Sequence, residues 1–188
     1  MTSDNLRFRV ATIEDAPQVQ QLVQAAFSAP DKRQGWTADM ELGARFRIEI
    51  EEVAATIAKP GSVILMALVG DDFVASAEVI HRGNGHARLS MLSVDQRHQC
   101  GGMGRLVLAH AEAYCLQTWG ASTMELNALS TRHKLIAWYQ RRGYEPTGET
   151  SPFPRDKFSD LALPEDMCFV ELEKDLISAQ GSVASPPA

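Results

Sequence analysis

At 188 residues, 45% of them hydrophobic, the chain is long enough to bury a sizeable core as a single domain. A formal net charge of -6 argues against general nucleic-acid binding, which favours a basic surface, and suits a cationic partner such as an amine. No apolar run is long enough to cross a membrane, and the N-terminus lacks the basic-then-apolar order of a secretory signal. Cys100, Cys115 and Cys168 form neither a CxxC pair nor a zinc spacing with the histidines. The expectation is a cytoplasmic protein with reduced thiols and no metal site.

Residues 6–11 alternate weakly and read as a first strand. Thr12 and Asp15 then have the spacing of a helix cap, with Pro17 in the first turn. Val19, Leu22, Val23 and Ala26 follow as an apolar stripe. Residues 28–42 lack a period and lead to a second helix, expected over residues 43–58, with Phe46, Ile50, Val53 and Ile57 as its buried face. Lys59-Pro60-Gly61 ends it.

Residues 62–69 form a near-continuous apolar strand. Gly70-Asp71-Asp72 turns the chain into a second strand over residues 73–81. Gly83-Asn84-Gly85 turns it again into a third, residues 88–94, with Leu89, Met91 and Ser93 on one face and Ser90, Leu92 and Val94 on the other. Glycines 101, 102 and 104 then precede an apolar helical pattern that runs to Trp119 and is closed by Gly120. The glycines keep side chains out of the way, and the first amides of the new helix lack intrahelical partners at the positive end of its dipole. Such a place binds phosphate oxygens, with Arg97 and Arg105 as flanking charges. A dinucleotide fingerprint would need glycine where Val107 stands, and a P-loop would need Lys-Ser/Thr after Gly104, where Arg105-Leu106 follows.

A strand over residues 122–128, parallel to the preceding one because a helix joins them, leads to a helix over residues 132–142 closed by Gly143. Tyr144 opens another strand, residues 151–164 are a proline-rich loop, and residues 167–172 are a final strand. Residues 180–188 are small, polar and proline-rich, and residues 177–188 are expected to be a flexible tail after a single domain over residues 1–176.

Gln99-Cys100-Gly101-Gly102-Met103-Gly104 matches the Arg/Gln-x-x-Gly-x-Gly/Ala signature of the GNAT N-acetyltransferase superfamily. Tyr139-Gln140-Arg141-Arg142-Gly143-Tyr144 resembles that family's Tyr-x-x-x-Gly-Phe/Tyr segment, one helix and one strand later. Two motifs in the right order, within a matching strand and helix pattern over residues 6–174, are more specific than either alone. The resemblance implies an α/β (α+β) GNAT fold: a mixed central sheet of about seven strands, helices on both faces, and a V-shaped splay between the fourth and fifth strands.

By the same resemblance, acetyl-CoA is the cosubstrate. Backbone groups at Leu92, Ser93 and Val94 hold its acetyl and pantetheine portion, and Gln99, Cys100, Gly101, Gly102, Met103, Gly104 and Arg105 hold its pyrophosphate. Asn127 at a strand end is a further candidate for the pantetheine, or a plain polar strand end. Trp36, with Asp39 and Glu41, falls where the family covers its acceptor; Trp36 packing its own loop is an even alternative.

The chemistry implied is acyl transfer. An amine attacks the thioester carbonyl, a backbone N–H near Leu92 steadies the oxyanion, and Tyr139 protonates the leaving thiolate. The competing role for Tyr139 is a hydrogen-bonded core residue. Residues 88–94 lack the glutamate many relatives carry, so Glu78, acting through water, is the base candidate; His81, His86 and Ser90 are others, Ser90 also as a substrate contact. Gln96 replaces a usual proline, and Arg132 a frequent asparagine.

The expected function is N-acetylation of a small-molecule primary amine, without nucleic-acid or membrane partners. The alternatives are acetylation of protein N-termini or lysines, and a non-catalytic CoA-binding regulatory module. The family's frequent dimers make a second copy of the chain an expected partner.

Overall fold

Three apolar strands in a meander form the centre of the fold, seen in a computed structural model that describes residues 5–29, 40–99 and 101–178. The meander is β2 (Ser62–Val69), β3 (Asp72–Gly83) and β4 (His86–Val94). It is flanked by β1 (Leu6–Val10) on one side and by β5 (Thr123–Leu129), β7 (Cys168–Asp175) and β6 (Glu145–Pro152) on the other. Neighbours are antiparallel except β4 and β5, which are parallel because a helix joins them.

Alternation along the strands makes two apolar faces. On one, Leu65, Ala67, Ala75, Ala77, Val79 and Leu89 pack against Val107, Leu108, Ala111 and Cys115 of α4 (Met103–Trp119). The alanines of β3 let that helix come close. On the other, Ile64, Met66 and Leu68 pack against Val19 and Val23 of α1 (Ala16–Ser28) and Val53 of α3 (Ile50–Ala58). A fully buried leucine or valine in these layers is worth roughly 1.5–3 kcal/mol. The remaining helices are α2 (Met40–Ala44) and α5 (His133–Gln140).

The entry to α1 is built as the Thr12 and Asp15 spacing suggests. Asp15 accepts from the Thr12 amide at 2.8 Å and from Gln18 at 2.6 Å, and the Arg9 guanidinium grips both its oxygens at 2.6 and 2.7 Å. Arg9, placed on β1, thereby ties the first strand to the first helix.

Several expectations are corrected. The single helix over residues 43–58 is instead α2 and α3, separated by a non-helical link at residues 45–49. The Gln24 side chain, reaching from α1, holds that link open: it donates to the Phe46 carbonyl at 2.6 Å and accepts from the Ile48 amide at 3.1 Å. Phe46 stacks on Phe27 at 4.6 Å, Ile50 is exposed, and Val53 alone of the four expected positions is fully buried.

The strict alternation over residues 88–94 fails as well. Ser76 faces Ser93 and Glu78 faces Ser90, so Ala77 alone opposes both Met91 and Leu92. This β-bulge, with Met91 at φ +50°, sends Met91 to the α1 side and returns Leu92 and Val94 to the α4 side beside Leu89. The last two strands are also longer than expected. Ser151 and Pro152 belong to β6, an edge strand where proline removes no ladder bond from a neighbour. The tail from residue 179 onward lies outside the described residues.

Candidate active site

β4 and β5 pair only at His86–Thr123, Ala87–Met124 and Arg88–Glu125. Beyond Arg88 they part, while β5 continues to pair with β7 along residues 123–129. Among the described residues, the edge of β4 from Leu89 to Val94 that faces β5 therefore has no strand partner, and the bulge lies within that stretch. Ser93 spans the bulge, its hydroxyl donating to the Met91 carbonyl at 3.2 Å. Gln99 donates to the Val94 carbonyl at 3.1 Å and so holds the end of the strand against the loop that follows.

That loop enters α4 through Gly102, whose φ of +85° is open to glycine and costly to other residues. The first hydrogen bond closing the helix is from the Arg105 amide to the Gly102 carbonyl, 3.0 Å, so the amides of Met103 and Gly104 precede it. A Cβ on Gly104 would lie 3.6 Å from the Trp138 ring and 3.8 Å from Val94, so the end of α5 backs directly onto the start of α4.

Cations gather at this point. The Arg142 guanidinium lies over the Trp138 ring at 3.7 Å and donates to the Trp138 carbonyl at 2.7 Å. Burial and then the nearby charges of Arg141 and Arg105 lower its pKa. Among the described residues no carboxylate is paired with Arg105, Arg141 or Arg142. Among the described residues, His98 Nδ1, Thr131 Oγ1 and Arg142 Nε are buried without a hydrogen-bond partner. Arg97, the other expected flanking charge, is paired with Asp95, Nε at 3.1 Å and Nη2 at 2.8 Å.

Tyr139 sits behind the loop on the α4 face, 6% exposed, edge-on to Trp138 at 5.0 Å and to Tyr144 at 5.6 Å. Burial pushes its phenol up to about 12, opposed by the charges of Arg132 and Arg142. Tyr144 is fixed in turn by Glu112, which accepts from its hydroxyl at 2.9 Å and from Lys174 at 2.7 Å. This support was invisible in the sequence, since its members lie on α4, β7 and the turn after α5.

Glu78 lies on the opposite face of the sheet. It accepts from the Ser62 hydroxyl at 3.3 Å and stands across from Ser90. Asn127 donates to Glu171 at 3.2 Å, and Glu171 also receives both terminal nitrogens of Arg88 at 3.2 Å and the hydroxyl of Ser151. Burial opposes the charge on Glu171, but these donors outweigh it and keep its pKa below the usual carboxylate range. This network sits where β4 and β5 begin to part, and sequence reasoning missed Arg88 and Glu171. His81 stacks on Trp119 at 5.3 Å and His86 pairs with Glu125 at 2.6 Å, both at the end of the sheet away from the glycine loop. Trp36, Asp39 and Cys100 lie outside the described residues, and Glu41 is exposed on α2.

The chain is similar to known proteins both in sequence and in fold. The model of the Acetyltransferase (GNAT) family matches residues 18–144. No curated protein matches the sequence. Among solved structures, the ribosomal-protein-S18-alanine N-acetyltransferase of Escherichia coli superposes with a TM-score of 0.67 at 16% identity, over 91% of this chain and 94% of that one. Mutant forms of the spermidine/spermine N-acetyltransferase of Vibrio cholerae give 0.68 at 11% identity, over 97% and 100%. An acetyltransferase of Bacillus anthracis solved in complex with acetyl coenzyme A gives 0.52 at 16%, over 64% and 65%. At these identities the likeness is one of fold. The family match spans α1 through Tyr144, both motifs and the splay included, and on it the chain belongs to the GNAT family of acetyltransferases.

Proposed function

We propose that the protein transfers the acetyl group of acetyl-CoA to the primary amine of a small molecule. The observation that carries this reading is the edge of β4, unpaired among the described residues, running into a glycine-entered helix beside Arg105, Arg141 and Arg142, which have no carboxylate partner among those residues. An extended thioester arm matches the first feature and a pyrophosphate the second. The main-chain groups of Leu92, Ser93 and Val94 would hold the acetyl and pantetheine portion. Those of residues 100–104 would hold the pyrophosphate, with Arg105 contributing its guanidinium, since the Gln99 and Arg105 amides already donate to the Gln96 and Gly102 carbonyls. The Ser93 hydroxyl is already engaged, so its part is a main-chain one, while both the side-chain amide and the main-chain N–H of Gln99 already donate, to Val94 and to Gln96. The Asn127 amide nitrogen is likewise engaged by Glu171, which leaves its oxygen for a pantetheine N–H.

The thioester supplies an activated acetyl group. Glu78, through a water, takes the proton from the amine nitrogen as that nitrogen attacks the carbonyl carbon. An amide at the bulge near Leu92 donates to the developing oxyanion. When the carbon–sulfur bond breaks, Tyr139 donates its proton to the thiolate. A phenol that keeps its proton to about pH 12 is available as a donor throughout the working range. Arg45 grips Asp160 at 2.6 and 2.8 Å, joining the segment after α2 to the loop between β6 and β7.

The test is thiol release from acetyl-CoA with a panel of primary amines. Tyr139→Phe is expected to lower kcat by roughly 10²–10⁴-fold while leaving acetyl-CoA binding by calorimetry unchanged. An unchanged kcat would make Tyr139 a core residue and nothing more. No release above background with any amine would count against the whole reading.

A further inference from the structure

The start of α4 and the end of α5 meet, and three arginines gather at the junction. Arg105 folds back over the loop, its Nη2 3.8 Å from where a Cβ on Gly102 would lie. The Trp138 ring closes on Gly104, and the Arg142 guanidinium lies 3.7 Å from the centre of that ring. Arg141 precedes it in the turn after α5. The charges of Arg141 and Arg105 both act on Arg142, so the three stand close together. Arg105 and Arg141 are exposed and Arg142 is half-buried, so the junction is an open rim and not a closed cavity.

Like charges at close range repel, and such a group calls for a counter-charge. Among the described residues no carboxylate supplies one. Arg142 is also fixed in advance. Its Nη1 donates to the Trp138 carbonyl at 2.7 Å, and the indole sets the plane of its guanidinium. Its Nη2 makes no hydrogen bond among the described residues, which leaves a donor for a partner from outside the chain. A side chain already held in one rotamer loses little entropy on taking an anion. Acetyl-CoA carries more negative charge than its pyrophosphate alone. One ribose beyond the pyrophosphate is a 3′-phosphate monoester, with a charge of about −1.5 to −2 at neutral pH. We infer that Arg142, assisted by Arg141, is the subsite for this 3′-phosphate and selects CoA over thioester carriers that lack it. The inference rests on the acetyl-CoA reading above and deepens it: the loop and Arg105 take the pyrophosphate, and the turn after α5 takes the third phosphate. A lysine would not serve equally, because the flat guanidinium stays on the indole while its edge meets the phosphate oxygens.

Calorimetry compares CoA with 3′-dephospho-CoA, which keeps the pyrophosphate, at one ionic strength because both ligands are anions. The wild type is expected to bind CoA roughly 10- to 100-fold more tightly. Arg142→Gln is expected to weaken CoA and leave 3′-dephospho-CoA nearly unchanged, cutting that ratio to about threefold or less. Arg105→Gln is expected to weaken both ligands alike and keep the ratio. Arg142 packs on Trp138, so a thermal melt checks that Arg142→Gln folds; Arg141→Gln, at an exposed position, is expected to lower the ratio as well. Equal affinity of the wild type for the two ligands would overturn the subsite and leave acetyl transfer standing. So would an unchanged ratio in Arg142→Gln, or in Arg141→Gln should Arg142→Gln not fold. Absence of binding by both ligands would instead sink the acetyl-CoA reading itself.

Discussion

Tyr139 illustrates how burial sets a side chain's chemistry. In water a phenol titrates near 10, whereas in this fold it is pushed up to about 12. The folded state therefore favours the neutral form. Its contribution to stability is complete below about pH 10 and is lost as pH rises towards 12, where the unfolded chain has already released its proton. Difference titration of the phenolate absorbance, wild type minus Tyr139→Phe, should isolate a phenol ionising near pH 12. A component near 10 would mean that water reaches the ring. The motif around Tyr139 was legible because the residues that matter lie within one helix and its cap. The Arg88–Glu171–Asn127–Ser151 network was not, because its four members come from four strands that only the folded sheet brings together.

At the scale of elements, what could be read was whatever a segment dictates by itself. The glycine-entered helix and the meander follow from local pattern. The bulge in β4 does not, since it is a mismatch in count between two strands and exists only once β3 is alongside. The break between α2 and α3 is similar: it depends on Gln24 reaching over from α1. The entry to α1 is the opposite case, encoded in Thr12 and Asp15 and completed by Arg9. The Arg9 guanidinium, with the Thr12 bonds, holds the Asp15 carboxyl well below its usual pKa against the opposing effect of burial. That contribution is present above about pH 4 and is lost as pH falls further. Asp15→Asn should lower unfolding free energy by about 1–3 kcal/mol at neutral pH, and its deficit relative to wild type should shrink in acid. Denaturant melts at pH 7 and pH 3 measure both; a constant deficit would show that the charge on Asp15 contributes nothing.

The whole molecule is asymmetric in a way that matters for function. Two helical layers cover the sheet, and between them β4 and β5 part after Arg88 and Glu125. On the α4 side are the glycine loop, the arginines and Tyr139; on the α1 side are Glu78 and Ser76. The chain is negative overall, yet it concentrates cations where a polyanion would dock. A ligand that binds only the folded state at 100 times its Kd stabilises by about 2.7 kcal/mol, so saturating acetyl-CoA should raise Tm by roughly 5–10 °C.

Residue-resolved amide hydrogen exchange, with and without acetyl-CoA, tests most directly whether the parted edge of β4 and the start of α4 hold this thioester. The account predicts that acetyl-CoA slows exchange at Leu92, Val94 and residues 101–105, while the paired stretch of β2 stays as it was. Unchanged exchange at those amides under saturating acetyl-CoA would contradict it.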